Sequence, residues 1–144
     1  MTLPVLSNEQ PAGGQTPHFQ RVLLVEDEAI FRKVIARNLI SRGIQVCEAG
    51  TASDAVRAAT TERPDLVLLD INLPDQTGWD VLRELKRKGH AIPTIVVSAV
   101  RVSQSRLDEF QPIAYLPKPF PIDALLRLVM GDRAVGGVES ADED

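Results

Sequence analysis

Asp65-Leu66-Val67-Leu68-Leu69-Asp70-Ile71-Asn72-Leu73-Pro74-Asp75-Gln76-Thr77-Gly78 is the stretch that decides how the chain is read. Leu66 to Leu69 are apolar without a break. A run that short, ending at a loop signal, reads as a strand buried on both faces. Asp70 follows directly, and Pro74 and Gly78 then punctuate a loop. A carboxylate therefore stands at the carboxyl end of a central strand, the edge of an open parallel sheet where ligands bind. Two roles are open to it here: a functional acid, or a side chain that caps the loop through its own backbone.

The same pattern recurs on the amino-terminal side. Arg21 to Val25 reads as a strand with Val22-Leu23-Leu24-Val25 buried, and Glu26-Asp27-Glu28 follow at once. Acids favour the first turn of a following helix through its dipole, which accounts for Glu28 but not for two more at the mouth of the strand. A helix is predicted over about Glu28 to Arg42, with Phe31, Val34, Ile35 and Leu39 towards the sheet and Arg32, Lys33 and Arg37 in solvent. Gly43 suits a left-handed stop, and Ile44 to Glu48 is the next strand, with Cys47 a small packed side chain. Thr51-Ala52-Ser53-Asp54 resembles a capping box and opens a helix whose small face is Ala55, Ala58 and Ala59, ending before Pro64.

Beyond the central loop, Trp79 to Lys88 is predicted helical, with Val81, Leu82 and Leu85 inward. Lys86, Arg87 and Lys88 fall in its last turn, where positive charge suits the dipole better than it argues for nucleic acid. Ile92 to Val97 is a strand ending in Ser98-Ala99. Between Val100 and Gln111 the signal is weak, and Ser103 is expected to cap a short helix through Glu109. Ile113 to Leu116 is the last strand, followed by Pro117-Lys118-Pro119-Phe120. Pro121 is expected in the first turn of a final helix carrying Ile122, Leu125, Leu126 and Val129 inward, with Leu128 and Met130 exposed off that stripe and Gly131 at its end.

Length and composition bound the rest. The chain has 144 residues, one domain of ordinary size, with 44% hydrophobic and 25% charged residues, the balance of a soluble globular protein. A net charge of -4 gives no basic footprint, so no direct DNA binding is expected. A single cysteine suits a reducing compartment, and no long apolar run marks a secretory signal or a membrane span, so a cytoplasmic protein is expected. Residues 1–20 read as a flexible leader in which His18 is a solvated histidine, residues 21–131 as the folded domain, and residues 132–144 as an acidic disordered tail.

Strand and helix alternate five times, which predicts an α/β fold: a parallel sheet with helices on both faces. Right-handed crossovers then favour a flavodoxin-like, doubly wound sheet of strand order 2-1-3-4-5. In that order the first and third strands are neighbours, so Glu26, Asp27 and Asp70 share one edge, with Ser98 and Lys118 ending the strands beside them. Three carboxylates crowding one pocket penalise each other's ionisation, and a hard divalent cation such as Mg²⁺ relieves that repulsion. Lys118 adds a point charge suited to phosphate, and Ser98 a hydroxyl donor. Together these describe a phosphoryl site in which an Asp can be the nucleophile.

At this point the sequence resembles the receiver domain of two-component response regulators, over about Arg21 to Met130. The resemblance rests on Glu26-Asp27, Asp70, the Leu73-Pro74 to Gly78 loop, Ser98-Ala99 and Lys118-Pro119, five separated motifs in order. It implies that Asp70 accepts phosphate from a phosphohistidine of a sensor histidine kinase or histidine phosphotransfer protein. It implies Mg²⁺ held by Asp27, Asp70 and the Asn72 backbone carbonyl, with Glu26 helping through water. Ser98 and Lys118 would contact the phosphate, Tyr115 stands at the switch aromatic, Lys118-Pro119 at the cis peptide, and Asn72 and Val100 at the positions that flank the water in dephosphorylation. The sequence departs from the family in its Glu26, in Pro112-Ile113-Ala114 before the last strand, and in a shortened segment from Ser98 to Lys118, so the fourth helix is expected to be short or irregular. The function this implies is a phosphorylation-controlled switch without an output domain of its own, acting on an unidentified protein target.

Two rivals are an Asp-nucleophile phosphatase and a receiver-like scaffold that is never phosphorylated. The first usually carries an acid–base Asp two residues after the nucleophile, where Asn72 stands and cannot move a proton in that way. The complete set of acids, Ser98 and Lys118 argues against the second.

Overall fold

A computed structural model of the protein describes residues 19–131. The expected tail and all but the last two residues of the expected leader, His18 included, lie outside the described residues. The elements run β1 (Arg21–Val25), α1 (Ala29–Ile40), β2 (Gln45–Ala49), α2 (Ala52–Glu62), β3 (Leu66–Asp70), α3 (Gly78–Arg87), β4 (Thr94–Ser98), α4 (Gln104–Phe110), β5 (Ala114–Pro117) and α5 (Ile122–Met130). All strand pairs are parallel, and the sheet order is β2-β1-β3-β4-β5, as the alternation predicts.

The unbroken apolar strands sort by alternate residues onto two faces. Val22, Leu24, Leu66, Leu68, Ile95 and Val97 pack with Ile35 and Leu39 of α1 and Leu125 and Val129 of α5. Leu23, Val25, Val67 and Leu69 pack with Ala55 and Ala59 of α2 and Val81 and Leu85 of α3. A side chain of this size that is fully buried contributes about 1.5–3 kcal/mol relative to exposure, so the two faces supply the main drive for the sheet. A third cluster joins Ile71, Trp79 and Val96, with Val102, Phe110 and Tyr115 against it.

The register sets the site. Val25 pairs with Leu69, so Glu26 and Asp70 leave neighbouring strands at one level. Asp70 pairs with Val97, and Ser98 with Pro117, so Ser98 and Lys118 each extend one residue further along the same edge.

Several expectations are corrected. The buried stripe of α1 is Ile35, Ala36 and Leu39 with Phe31 packed against the same core, whereas Val34, expected inside, is 42% exposed at the edge of that face. Arg32 is not in solvent but bonded to Glu48 and to the Glu26 carbonyl. Leu128 and Met130 are half-buried against the core rather than exposed. Pro121 is the residue before α5 and not its first turn. α3 starts one residue earlier than expected because Thr77 and Asp80 form a full capping box, which satisfies donors on both sides of the helix start. The expected short α4 is present, with Ser103 accepting from the Arg106 amide at 3.3 Å, and it buries no residue completely.

Candidate functional site

Each acid of the edge has a different environment. Glu26 is 2% exposed, and both its carboxylate oxygens are engaged: Oε1 accepts from Lys118 Nζ at 2.8 Å, and Oε2 from the Glu28 amide at 3.0 Å. Burial pushes the Glu26 carboxyl above its usual range, against the pull of those bonds, and the nearby Asp70 adds to the rise. Its backbone is held on both sides, the amide by the Ala49 carbonyl at 3.0 Å and the carbonyl by Arg32 at 2.7 Å. Arg32 is itself fixed by Glu48 at 2.9 Å. Burial works to raise the Glu48 carboxyl, but the bonds from Arg32 and Lys33 outweigh it and hold it below the usual range.

Asp70 caps the loop, one of the two roles open to it, and also reaches the edge cluster. Its Oδ1 accepts from the Asn72 amide at 3.0 Å, a local loop cap, and its Oδ2 accepts from Lys118 Nζ at 2.9 Å. Asp27 differs: it is exposed, and among the described residues its carboxylate has no hydrogen-bond or ion-pair partner. One carboxylate oxygen from each of Glu26, Asp27 and Asp70 lies within 4.8 Å of the others. Three hard oxygen donors against one ammonium leave negative charge in excess, a set that fits a divalent cation of the magnesium type. No sulfur or imidazole is in that set to favour a softer metal.

Lys118 bridges Glu26 and Asp70. Burial would lower its pKa, but the bonds to Asp70 and Glu26 outweigh that and raise it, so it stays charged. Its backbone amide donates to the Ser98 carbonyl at 2.8 Å, and the Lys118–Pro119 peptide is cis. Ser98 is 1% exposed, and its Oγ accepts from the Val100 amide at 3.0 Å, which leaves the hydroxyl hydrogen free to donate. Val100 is exposed beside it.

The loop after Asp70 closes tightly. The Gly78 amide donates to the Ile71 carbonyl at 2.7 Å, and Asn72 and Thr77 form an antiparallel bridge. A β-carbon at Gly78 would lie 2.8 Å from the Asp70 carbonyl oxygen, so only glycine admits this closure. Asn72 is exposed on the loop, and Tyr115 is half-buried against the cluster of Ile71, Trp79 and Val96.

Glu26, Asp27, Asp70 and Lys118 are thus brought together, with Ser98 one strand away and Asn72 tied to Asp70 through its amide. Sequence reasoning missed two supporting residues. Arg32 sits on a helix face that read as solvated, and Asp75, which bonds the Ala52 and Ser53 amides, sits in a turn where an Asp carries no distinguishing signal.

Comparison with known proteins identifies the family and the fold. The response regulator receiver domain family matches residues 22–130. The chain is 41% identical over 122 residues to the transcriptional activator protein PfeR of Pseudomonas aeruginosa, a match covering 78% of this chain and 40% of that protein. The chain spans about half the length of the curated relatives it matches. Among solved structures, the non-phosphorylated HemR receiver domain of Leptospira biflexa superposes with a TM-score of 0.69 at 30% identity, over 81% of this chain and 94% of that one. The response regulator TrrA of Thermotoga maritima, solved in complex with Mg(2+)-BeF, gives 0.67 at 28% identity, over 76% of this chain and 96% of that one. Among the described residues no helix is long and apolar enough to cross a membrane. The chain belongs to the response regulator receiver domain family, the signal-receiving part of two-component systems.

Proposed function

We propose that Asp70 accepts a phosphoryl group from the phosphohistidine of a sensor kinase or histidine phosphotransfer protein, and that the adduct changes which protein partner this chain binds. The observation that carries this is Lys118 Nζ bonded to both Asp70 and Glu26, with the exposed Asp27 carboxylate in the same cluster. Asp27, Asp70 and the Asn72 backbone carbonyl would hold Mg²⁺, with Glu26 behind them. When bound, the cation neutralises the crowded acids and the incoming phosphoryl charge. The bound Mg²⁺ in the TrrA structure supports this reading.

In the transfer, an Asp70 carboxylate oxygen bonds to phosphorus while the phosphorus–nitrogen bond of the donor breaks, its electron pair leaving on the imidazole. Lys118 holds the carboxylate oriented and offsets its charge, and the free Ser98 hydroxyl hydrogen is available to a phosphoryl oxygen. The chain supplies its own catalysis in this scheme. The added phosphate brings roughly 1.5–2 negative charges, which draw Lys118 and Ser98 and allow Tyr115 to follow. The output surface then includes β5 and α5. The phosphatase alternative lacks an acid at Asn72, and the scaffold alternative gives no role to the exposed Asp27 carboxylate beside Asp70. The protein is proposed to act in the cytoplasm, where such donors are made.

Incubation with Mg²⁺ and acetyl phosphate, followed by intact mass measurement, is expected to show one phosphate adduct on the wild type and none on Asp70→Asn. An unmodified wild type, or an adduct that persists in Asp70→Asn, would reject the assignment.

The lifetime of that adduct is expected to depend on Val100. An acyl phosphate is lost when a positioned water attacks, and Val100 cannot position one. The Val100 amide is tied to Ser98 Oγ at 3.0 Å, so a polar side chain introduced there stands next to the phosphate-contacting hydroxyl. Val100→Glu and Val100→Gln are expected to speed decay by about ten-fold, equivalent to about 1.4 kcal/mol of barrier, at fixed Mg²⁺ without any phosphatase. Decay as slow as wild type in both variants would show that the residue does not reach the path of the water.

A further inference from the structure

The loop that carries Asn72 is fastened to a helix it does not belong to. Asp75, at the tip of that loop, accepts from the Ala52 amide through Oδ1 at 2.8 Å and from the Ser53 amide through Oδ2 at 3.0 Å. These are the first two amides of α2, donors with no partner inside the helix. The ordinary cap of α2 is already filled by Thr51, whose Oγ1 accepts from the Asp54 amide at 3.1 Å. Asp75 is therefore a second cap, delivered from 23 residues away, and both its oxygens are used, which fixes its orientation as well as its position. The Ala52 amide foremost, then those of Ser53 and Gln76, hold the Asp75 carboxyl below the usual range, so the clamp is ionised at neutral pH.

The other end of the loop is closed by the Gly78 amide on the Ile71 carbonyl and by the Asn72–Thr77 bridge. The amino end of α2 follows β2, whose last residue, Ala49, accepts the Glu26 amide. One carboxylate thus ties the Asn72 loop to the scaffold that also holds Glu26 and Asp27. We propose that Asp75 is a positioning residue: by clamping the 72–77 loop to the first turn of α2, it fixes the Asn72 backbone relative to Asp27 and Asp70 and so sets the affinity of the site for a divalent cation. This rests on the reading of Glu26, Asp27 and Asp70 as the cation site.

Titration calorimetry with Mg²⁺ on the full chain tests it, alongside amide exchange of the metal-free protein. Asp75→Ala is expected to weaken Mg²⁺ by about ten-fold, the low end for residues that orient metal ligands, and to speed exchange at Asn72, Gln76 and Gly78. Asp75→Asn, which keeps one acceptor oxygen and the shape, is expected to fall between. Thr51→Ala removes the other cap of the same helix and should lower the melting temperature while leaving Mg²⁺ affinity within about two-fold of wild type, because it does not touch the metal-side loop. Wild-type affinity in Asp75→Ala, or an equal weakening in Thr51→Ala, overturns the proposal. If Mg²⁺ binds the wild type and is weakened by Asp27→Ala but not by Asp75→Ala, the cation site stands and the clamp falls. If the wild type binds no Mg²⁺, both fall.

Discussion

Asp27→Ala is expected to weaken Mg²⁺ binding by about 100-fold, or about 2.8 kcal/mol, because it deletes a direct ligand where loss of mere supporting groups already costs 10–100-fold. Glu26 and Asp70 are already engaged by Lys118, whereas Asp27 is exposed and has no partner among the described residues, so a cation can take it without displacing a bond described there. Glu26→Gln should therefore weaken binding far less. Metal-free stability of Asp27→Ala should hold or rise slightly, since the substitution removes one of three mutually repelling charges and breaks no hydrogen bond. Calorimetric titration with equal affinity for wild type and Asp27→Ala would refute the ligand assignment.

Lys118→Met is expected to destabilise the metal-free protein by about 2–3 kcal/mol at neutral pH. Removing one partner of a buried ion pair typically costs about 3–5 kcal/mol, and the figure is discounted here because the Lys118 side chain is 22% exposed. The residues left behind are severe: Glu26 and Asp70 side chains are 2% and 5% exposed and would face each other without a cation. The pH dependence has a definite sign. Glu26 already sits above its ordinary value of 4.5, pushed up by burial, and loss of the Lys118 bond raises it further. A carboxyl whose folded pKa is raised binds its proton more readily in the folded state, so stability climbs as pH falls through that raised pKa. The gap between variant and wild type should then narrow on acidification from neutral pH towards the ordinary carboxylate range. Lys118, raised in the wild type, contributes fully below its ordinary value of 10.5 and loses that contribution as pH climbs through the raised one. Urea unfolding across pH measures both trends, and adding Glu26→Gln to Lys118→Met should recover part of the loss. A pH-independent gap would show that packing of the lysine stem, not charge, is what the substitution removes.

The gathering of the candidate site residues is legible in the sequence for a physical reason. Glu26, Asp27, Asp70, Ser98 and Lys118 each follow an apolar run, and parallel strands put all their carboxyl ends on one edge, so local pattern plus topology was enough to gather them. Arg32 and Asp75 were not legible in the same way. Arg32 lies off the apolar face of its helix, where a cation reads as solvated, and its partners Glu48 and the Glu26 carbonyl come from other elements of the chain. Asp75 acts on Ala52 and Ser53 across the fold, and nothing in a Pro-Asp-Gln-Thr turn distinguishes an acid that clamps a distant helix from one that is merely solvated. The Thr77–Asp80 capping box is present in the sequence, but Gly78 reads as loop punctuation, which puts the expected helix start one residue late.

The chain holds one tryptophan. Trp79 is 7% exposed and stacks on Phe110 of α4, ring centroids 5.0 Å apart and planes within 20°, while Arg83 lies 5.3 Å from the centroid of the same Phe110 ring. Trp79 also shares a cluster with Ile71, the residue after Asp70, and Tyr115 packs against that cluster. The molecule consequently carries a built-in optical probe. Its single indole emission reports directly on whether the fourth helix is seated on the third, needs no label, and comes from a ring packed in one cluster with the neighbour of Asp70. Stopped-flow fluorescence on the unmodified chain can therefore time events at Asp70 and motion of α4 in one trace.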